Sequence, residues 1–254
     1  MSTGAATASF AAYGCDPVTV SGESALLAEL SRLWAPFLSP GAGAEPPVPV
    51  PDLATAAAEV NRALVARTPY PAVHAGVVAT GSGAVVVPAV SGAGKSTMTA
   101  ALCLAGALYL SDEALVLDDA DPRAPVALAY PKPVALSPWS AAALGLGSTA
   151  APTGDLLADG SRELLFAPAV LGEVSGPVPV AHLLLPERVT GAPSLQPLRR
   201  MEGLAALVRL SFNHYVDPRR FLLVAAAAVT GAQVWRVQVG DPAATARVVL
   251  DTLG

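Results

Sequence analysis

Two apolar runs in close succession, Val73-His74-Ala75-Gly76-Val77-Val78-Ala79 and Val85-Val86-Val87-Pro88, flank the turn Thr80-Gly81-Ser82-Gly83. They predict a β-hairpin. The second run leads into Ala89-Val90-Ser91-Gly92-Ala93-Gly94, and Ser96 to about Ala105 predicts a helix with Gly106 as its stop. Upstream, Leu26, Leu27, Leu30, Leu33 and Trp34 recur at helical spacing over Glu23 to about Ala35. Ser21 or Ser24 would cap that helix and Pro36 end it. The proline-rich stretch from Ser39 to Pro51 predicts a turn and an extended linker, and Asp52 caps a second helix reaching about Arg67.

Downstream, Leu108 to Asp119 reads as a strand interrupted by Asp112 and Glu113 and then resumed. Tyr130 to Ser137 is extended because its prolines forbid a helix interior, and Gly145 to Gly160 is a low-complexity loop. Ser161 to Phe166, Val178 to Leu185 and Val234 to Val239 read as strands; Gly203 to Arg209, Pro218 to Thr230 and Pro242 to Leu253 read as helices. This mixture is α/β in class. Residues 1–70 form a small N-terminal helical and extended region, and residues 71–254 a nucleotide-binding domain.

Composition narrows the function. A net charge of −5 provides no general nucleic-acid surface. Hydropathy is high, yet the uncharged helical stretches, fifteen residues over Phe221 to Trp235 and sixteen over Ser96 to Ser111, fall short of the roughly eighteen a membrane span needs. Neither nucleic acid nor membrane is expected as a partner. Cys15 and Cys103 have no metal spacing and make no disulfide framework. The first ten residues read as a frayed start without the basic and apolar blocks of a signal peptide, which leaves the cytoplasm as the expected location.

The chemistry concentrates after the hairpin. Ser91, Gly92, Ala93, Gly94, Lys95, Ser96 and Thr97 follow the Walker A pattern G-x-x-x-x-G-K-[ST], with Ala89 in place of its first glycine. Small residues let backbone N–H groups converge on phosphate oxygens, and the helix adds its positive end. Lys95 would reach the β- and γ-phosphates and Ser96 would ligate Mg²⁺. Ala89 resists positive φ, so the loop must enter differently or Ala89 must sit at a tolerant dihedral. Asp112 and Glu113 are costly within an apolar strand unless paired or metal-bound. On a regular strand they point to opposite faces, so without a bulge at most one would face the phosphates.

Other polar residues are weaker candidates. His74 is either a satisfied structural residue or lies beside the phosphates. Arg162 and Lys132 are either phosphate or substrate contacts or solvated rim charges. Asp118, Asp119 and Asp121 read as a solvated turn, His182 and His214 as structural. The doublets Arg199-Arg200 and Arg219-Arg220 read as solvated faces, although one could dock an acidic acceptor.

Taken together, His74-Ala75-Gly76, the Val85-to-Thr97 run, Tyr109-Leu110-Ser111-Asp112-Glu113, Tyr130-Pro131-Lys132-Pro133 and, more loosely, Ser211-Phe212-Asn213 resemble the HPr kinase-like proteins. The resemblance runs from about His74 to the C-terminus. It implies a P-loop kinase core of the phosphoenolpyruvate-carboxykinase type, a mixed sheet with flanking helices, using ATP and Mg²⁺ to phosphorylate a hydroxyl. It further implies catalytic roles for Asp112, Lys95 and His74, and metal ligation by Ser96, Asp112 and Glu113, one acid acting as base. Family members acting on the phosphocarrier usually have Asp-Asp, so Glu113 is a departure. The N-terminal region is too short for that family's regulatory domain, and the arginine-rich signature of its phosphorylase reaction is not found. A stand-alone kinase is implied, with serine of a peptide or small protein as acceptor, as in relatives acting on peptide natural products. A small-molecule kinase and an ATPase or switch module are the alternatives. Relatives assemble into oligomers, and the apolar composition allows a homo-oligomer.

Overall fold

A computed structural model of the chain describes residues 6–146, 153–156, 162–189 and 191–253. At the N-terminal end, β1 (Ala6–Phe10) pairs antiparallel with β2 (Val18–Gly22), so Ala6 to Phe10 form a strand and not a frayed start. Helix α1 (Ser24–Leu33) begins after Glu23, with no side-chain cap from Ser21 or Ser24. Pro36 does not stop the chain's winding but sits in a 3₁₀ turn, where its fixed φ is tolerated. Within the expected linker, β3 (Val48–Pro49) pairs in parallel with β2. Asp52 caps α2 (Leu53–Arg67) as expected, its Oδ1 accepting from the Thr55 N–H at 2.7 Å. Phe10, Leu30, Trp34, Val60 and Leu64 share a core with Ala114, Val116 and Tyr130 from later in the chain.

The hairpin is β4 (Ala72–Thr80) and β5 (Gly83–Pro88), in register from Ala75↔Pro88 to Thr80↔Gly83. Next come α3 (Lys95–Leu104), β6 (Leu108–Ser111), β7 (Ala114–Asp118), β8 (Val126–Leu128), β9 (Val134–Leu136), α4 (Pro138–Ala143), β10 (Thr153–Leu156) and β11 (Arg162–Phe166). The chain continues through β12 (Val178–Arg188), β13 (Ser194–Leu198), α5 (Arg200–Arg209), α6 (Pro218–Gly231), β14 (Gln233–Val239) and α7 (Pro242–Leu253). Strand β10 falls inside the expected loop, and β8 and β13 are strands that apolar alternation does not announce.

The fold is mixed α/β. An eight-stranded sheet runs β13-β14-β12-β5-β4-β7-β8, with β6 also on β4, and β8 returns to pair with the start of β12. One flank of the sheet therefore closes on itself. Strand β12 is parallel to both β5 and β14. Met98, Leu102 and Cys103 of α3 and Val249 of α7 pack with Val85, Val87 and Phe166. A second core joins Val77, Val86 and Leu183 to Leu207 of α5 and Val224 and Ala228 of α6. Among the described residues no helix is long and apolar enough to cross a membrane.

Gly76 determines how closely α3 lies on β4. A Cβ there would overlap the Thr99 hydroxyl and come within 3.2 Å of Lys95 Cγ. The Thr99 hydroxyl itself donates to the Lys95 carbonyl at 3.0 Å. At the opposite end of the sheet, Trp235 Nε1, which can only donate, points to His182 Nδ1 at 3.4 Å, and His182 Nε2 meets Ser82 Oγ at 3.2 Å. His182 is thus a satisfied, neutral structural residue.

Gly76→Ala is expected to cost about 1–3 kcal/mol in denaturant unfolding, the range for overpacking. Adding Thr99→Ala removes the overlapping hydroxyl and should recover most of the loss. For His182, burial holds the folded pKa below the ordinary value. The unfolded chain therefore takes up this proton first, and stability is lost as pH falls from about 6.5 through the folded value. His182→Gln should flatten that part of the pH–stability curve.

Candidate functional site

Strand β5 is buried along its whole length and delivers the glycine-rich loop beside the C-terminal end of its parallel neighbour β12, on whose far side β14 runs in the same direction. Crevices at this edge are the usual ligand sites of α/β sheets. A cleft of about 1010 Å³ opens here, lined by the loop from Ser91 to Thr97 together with His74, Asp112, Glu113 and Lys132. The residues singled out in sequence thus converge, apart from Arg162: its backbone opens β11, but its side chain lies outside the described residues.

Loop geometry follows its glycines. Gly92 and Gly94 have φ of 77° and 92°, values that favour glycine. Among the described non-glycine residues only Tyr13 has positive φ, so Ala89 sits, buried, at a dihedral alanine tolerates. Gly94 caps α3 from the left-handed region and supplies no side chain to its first turn. The opening N–H groups of that ten-residue helix are left facing the cleft without a side-chain cap. The Ser96 hydroxyl has no partner among the described residues, whereas Thr97 Oγ1 is held by Ser140 Oγ at 2.8 Å.

The two acids both line the cleft because they sit on no regular strand. Ser111 Oγ accepts from the N–H groups of Glu113 at 3.0 Å and Ala114 at 2.9 Å, bending the chain between β6 and β7. Lys95 Nζ crosses the cleft to donate to the Asp112 carbonyl at 2.9 Å, and burial holds its pKa below the usual lysine value.

Lys132 is no rim charge. It is 7% exposed and stands 2.9 Å from Asp112 Oδ1, itself on a residue only 2% exposed. Burial alone would lower the lysine's pKa, but Asp112 and Glu113 outweigh it and the net direction is upward. Tyr109 adds its hydroxyl, which donates to the Lys132 carbonyl at 3.0 Å and lies 3.2 Å from Asp112 Oδ1. Asp112 Oδ2 has no partner among the described residues. Glu113 is looser, 4.0 Å from Lys132 Nζ and 3.8 Å from His74 Nε2. Burial first, and the Lys95 cation second, hold the His74 pKa below its ordinary value, so the imidazole is neutral at pH 7.

Several site residues escape sequence reasoning. Arg188, at the end of β12, donates to the Gly92 carbonyl at 3.0 Å; only the parallel pairing with β5 brings it there. Trp34 and Asn61 of the N-terminal region also line the cleft, and Asn61 Oδ1 accepts from Tyr130 at 2.9 Å. Tyr109 was visible beside the acids, but nothing in its spacing gave its role. Of the remaining polar candidates, Arg199, Arg200, Arg219 and Asp121 are exposed, whereas Arg220 grips both oxygens of Asp119 at 2.6 Å, so neither that arginine nor that acid is simply solvated.

Lys132→Met should destabilise the chain by about 3–5 kcal/mol in guanidinium unfolding, because it strands a buried carboxylate. Combining it with Asp112→Asn should return more than half of that loss.

No family model matches the chain, and no curated protein matches it. Among solved structures, that of the Hpr(Ser) kinase/phosphatase from Coxiella burnetii is similar, at 12% sequence identity and a TM-score of 0.36, over 71% of this chain and 95% of that one. The likeness is distant.

Proposed function

We propose that the chain is an ATP-dependent phosphotransferase with a P-loop kinase core, moving the γ-phosphoryl group to a hydroxyl, with serine of a peptide or small protein as the acceptor class. The observation that carries this is one cleft in which an uncapped helix start and a loop lysine lie opposite two carboxylates. Phosphoryl transfer needs in-line positioning and neutralisation of the phosphate oxygens more than covalent chemistry. The loop N–H groups and Lys95 neutralise; on nucleotide binding Lys95 exchanges the Asp112 carbonyl for phosphate oxygens.

Glu113 is the better placed base. Asp112 is tied to Lys132 and Tyr109, while Glu113 lines the cleft with only longer-range partners. The acceptor oxygen bonds to the γ-phosphorus, the bond to ADP's bridging oxygen breaks, ADP leaves with that electron pair, and the hydroxyl proton passes to Glu113. Neutral His74 beside Glu113 leaves the carboxylate's charge undiminished.

The oxygens free to hold Mg²⁺ are the Ser96 hydroxyl and Asp112 Oδ2, hard donors of the right kind. Among the described residues no three His, Cys, Asp or Glu side chains form a metal cage, which fits an ion completed by phosphates and water. Bound there, Mg²⁺ would offset phosphate charge. In this reading residues 71–254 are the kinase domain and residues 1–70 supply one wall of its cleft.

With γ-labelled ATP, Mg²⁺ and hydroxyl acceptors, Glu113→Gln should lower transfer by about 10²–10⁴-fold while leaving ATP affinity unchanged. Lys95→Met should weaken both. Phosphate release without transfer to any acceptor would favour an ATPase or switch instead.

A further inference from the structure

We infer that a second cavity, about 500 Å³ in volume, is the acceptor pocket, and that it holds a bulky apolar or aromatic side chain next to the hydroxyl of a peptide substrate. This rests on the phosphotransferase reading above. The cavity lies between α2 and the turn that precedes α6, and it shares two residues, Asn61 and Glu113, with the phosphate-loop cleft. Glu113 therefore stands at the boundary between the two spaces. A nucleotide in one and an acceptor in the other would bring the γ-phosphorus and the hydroxyl together at the carboxylate that takes the proton.

The lining states what the occupant is. Tyr70, Pro71, Phe212, Val216 and Phe221 give it apolar and aromatic walls. The cations that border it are already engaged: Arg220 by Asp119 and by the Pro69 carbonyl at 3.0 Å, and Arg62 by Glu59. Asp217 is spent as the cap of α6, accepting from the Arg220 N–H at 3.0 Å. An acidic acceptor finds no uncommitted cation among these residues, and a sugar or polyol finds few open polar groups to orient it. Phe212 also packs on the His74 ring at 5.5 Å, which ties the wall of the pocket to the residue beside Glu113.

The mouth argues for a chain over a small molecule. Tyr215 and Val216 are 72% and 74% exposed, so apolar surface continues outward past the cavity. Large apolar side chains displayed beside a pocket mark a surface that a longer partner covers. In the transfer, the serine oxygen bonds to the γ-phosphorus as the bond to ADP breaks, ADP keeps the electron pair, and Glu113 receives the proton.

An oriented library of nonapeptides with a fixed central serine, incubated with the full chain, γ-labelled ATP and Mg²⁺, tests this. Labelled peptides should be enriched in aromatic and large aliphatic residues next to the serine. For a selected peptide, the double variant Tyr215→Asp, Val216→Asp should raise KM by about tenfold or more, with KM for ATP within about twofold. The milder pair Tyr215→Ser, Val216→Ser should act in the same direction. Leu223→Asp, exposed on α6 and outside both cavities, should change neither constant. Transfer to peptides without apolar enrichment, transfer only to polyols, or KM indifferent to both double variants would overturn the pocket while the kinase reading stands. Nucleotide hydrolysis with no transfer to any acceptor would overturn both.

Discussion

The buried pair of Lys132 and Asp112 is the interaction around which the site is arranged. Two charges withdrawn from water cost several kcal/mol each unless they meet in good geometry with further hydrogen bonds. Here the Pro133 carbonyl and the Tyr109 hydroxyl complete the arrangement. The strand break at Asp112 and the proline-fixed segment around Lys132 are distant enough in sequence that each needs the other to be positioned. Once they are, the Asp112 carbonyl is presented to Lys95, and Glu113 is turned toward the cleft. The pair fixes geometry more than it adds stability.

A second dependence runs through the N-terminal region. Its core includes Ala114, Val116 and Tyr130, which border the two acids and Lys132 in the chain. Tyr130 is buried and gives its hydroxyl to Asn61 of α2. The region is therefore structurally continuous with the cleft, and α2 lines both the space beside the glycine-rich loop and the space beside Phe212.

Much of this was legible in the sequence because it is local. The hairpin needs only alternating apolar runs and a glycine turn, and the bend of the loop into a helix needs only Gly92 and Gly94 just before Lys95. The interruption of an apolar strand by Asp112 and Glu113 pointed to a site for the energetic reason that such acids must be compensated. Legibility stopped where partners are distant. Lys132 could be read as a rim charge because its compensating acid lies twenty residues earlier, and Arg188 reaches Gly92 only through sheet pairing. Ala6 to Phe10 looked frayed because small and polar residues dominate the strand; its partner β2 and the core around Phe10 make it fold. Whether both acids could face one side turned on Ser111, whose hydroxyl makes the bend.

The return of β8 to β12 has a consequence for how this molecule meets other chains. An open sheet offers rows of unpaired N–H and C=O groups that recruit strands from neighbours. Closure removes that row from one flank. At the other end β13 carries Pro197, which lacks a donor, and the short β6 is shadowed by a bridge between Tyr109 and Val174. The large sheet is thereby shielded from templating intermolecular β-structure despite its run of valines, and its apolar strands can stay long and buried without making the protein prone to aggregate edge to edge.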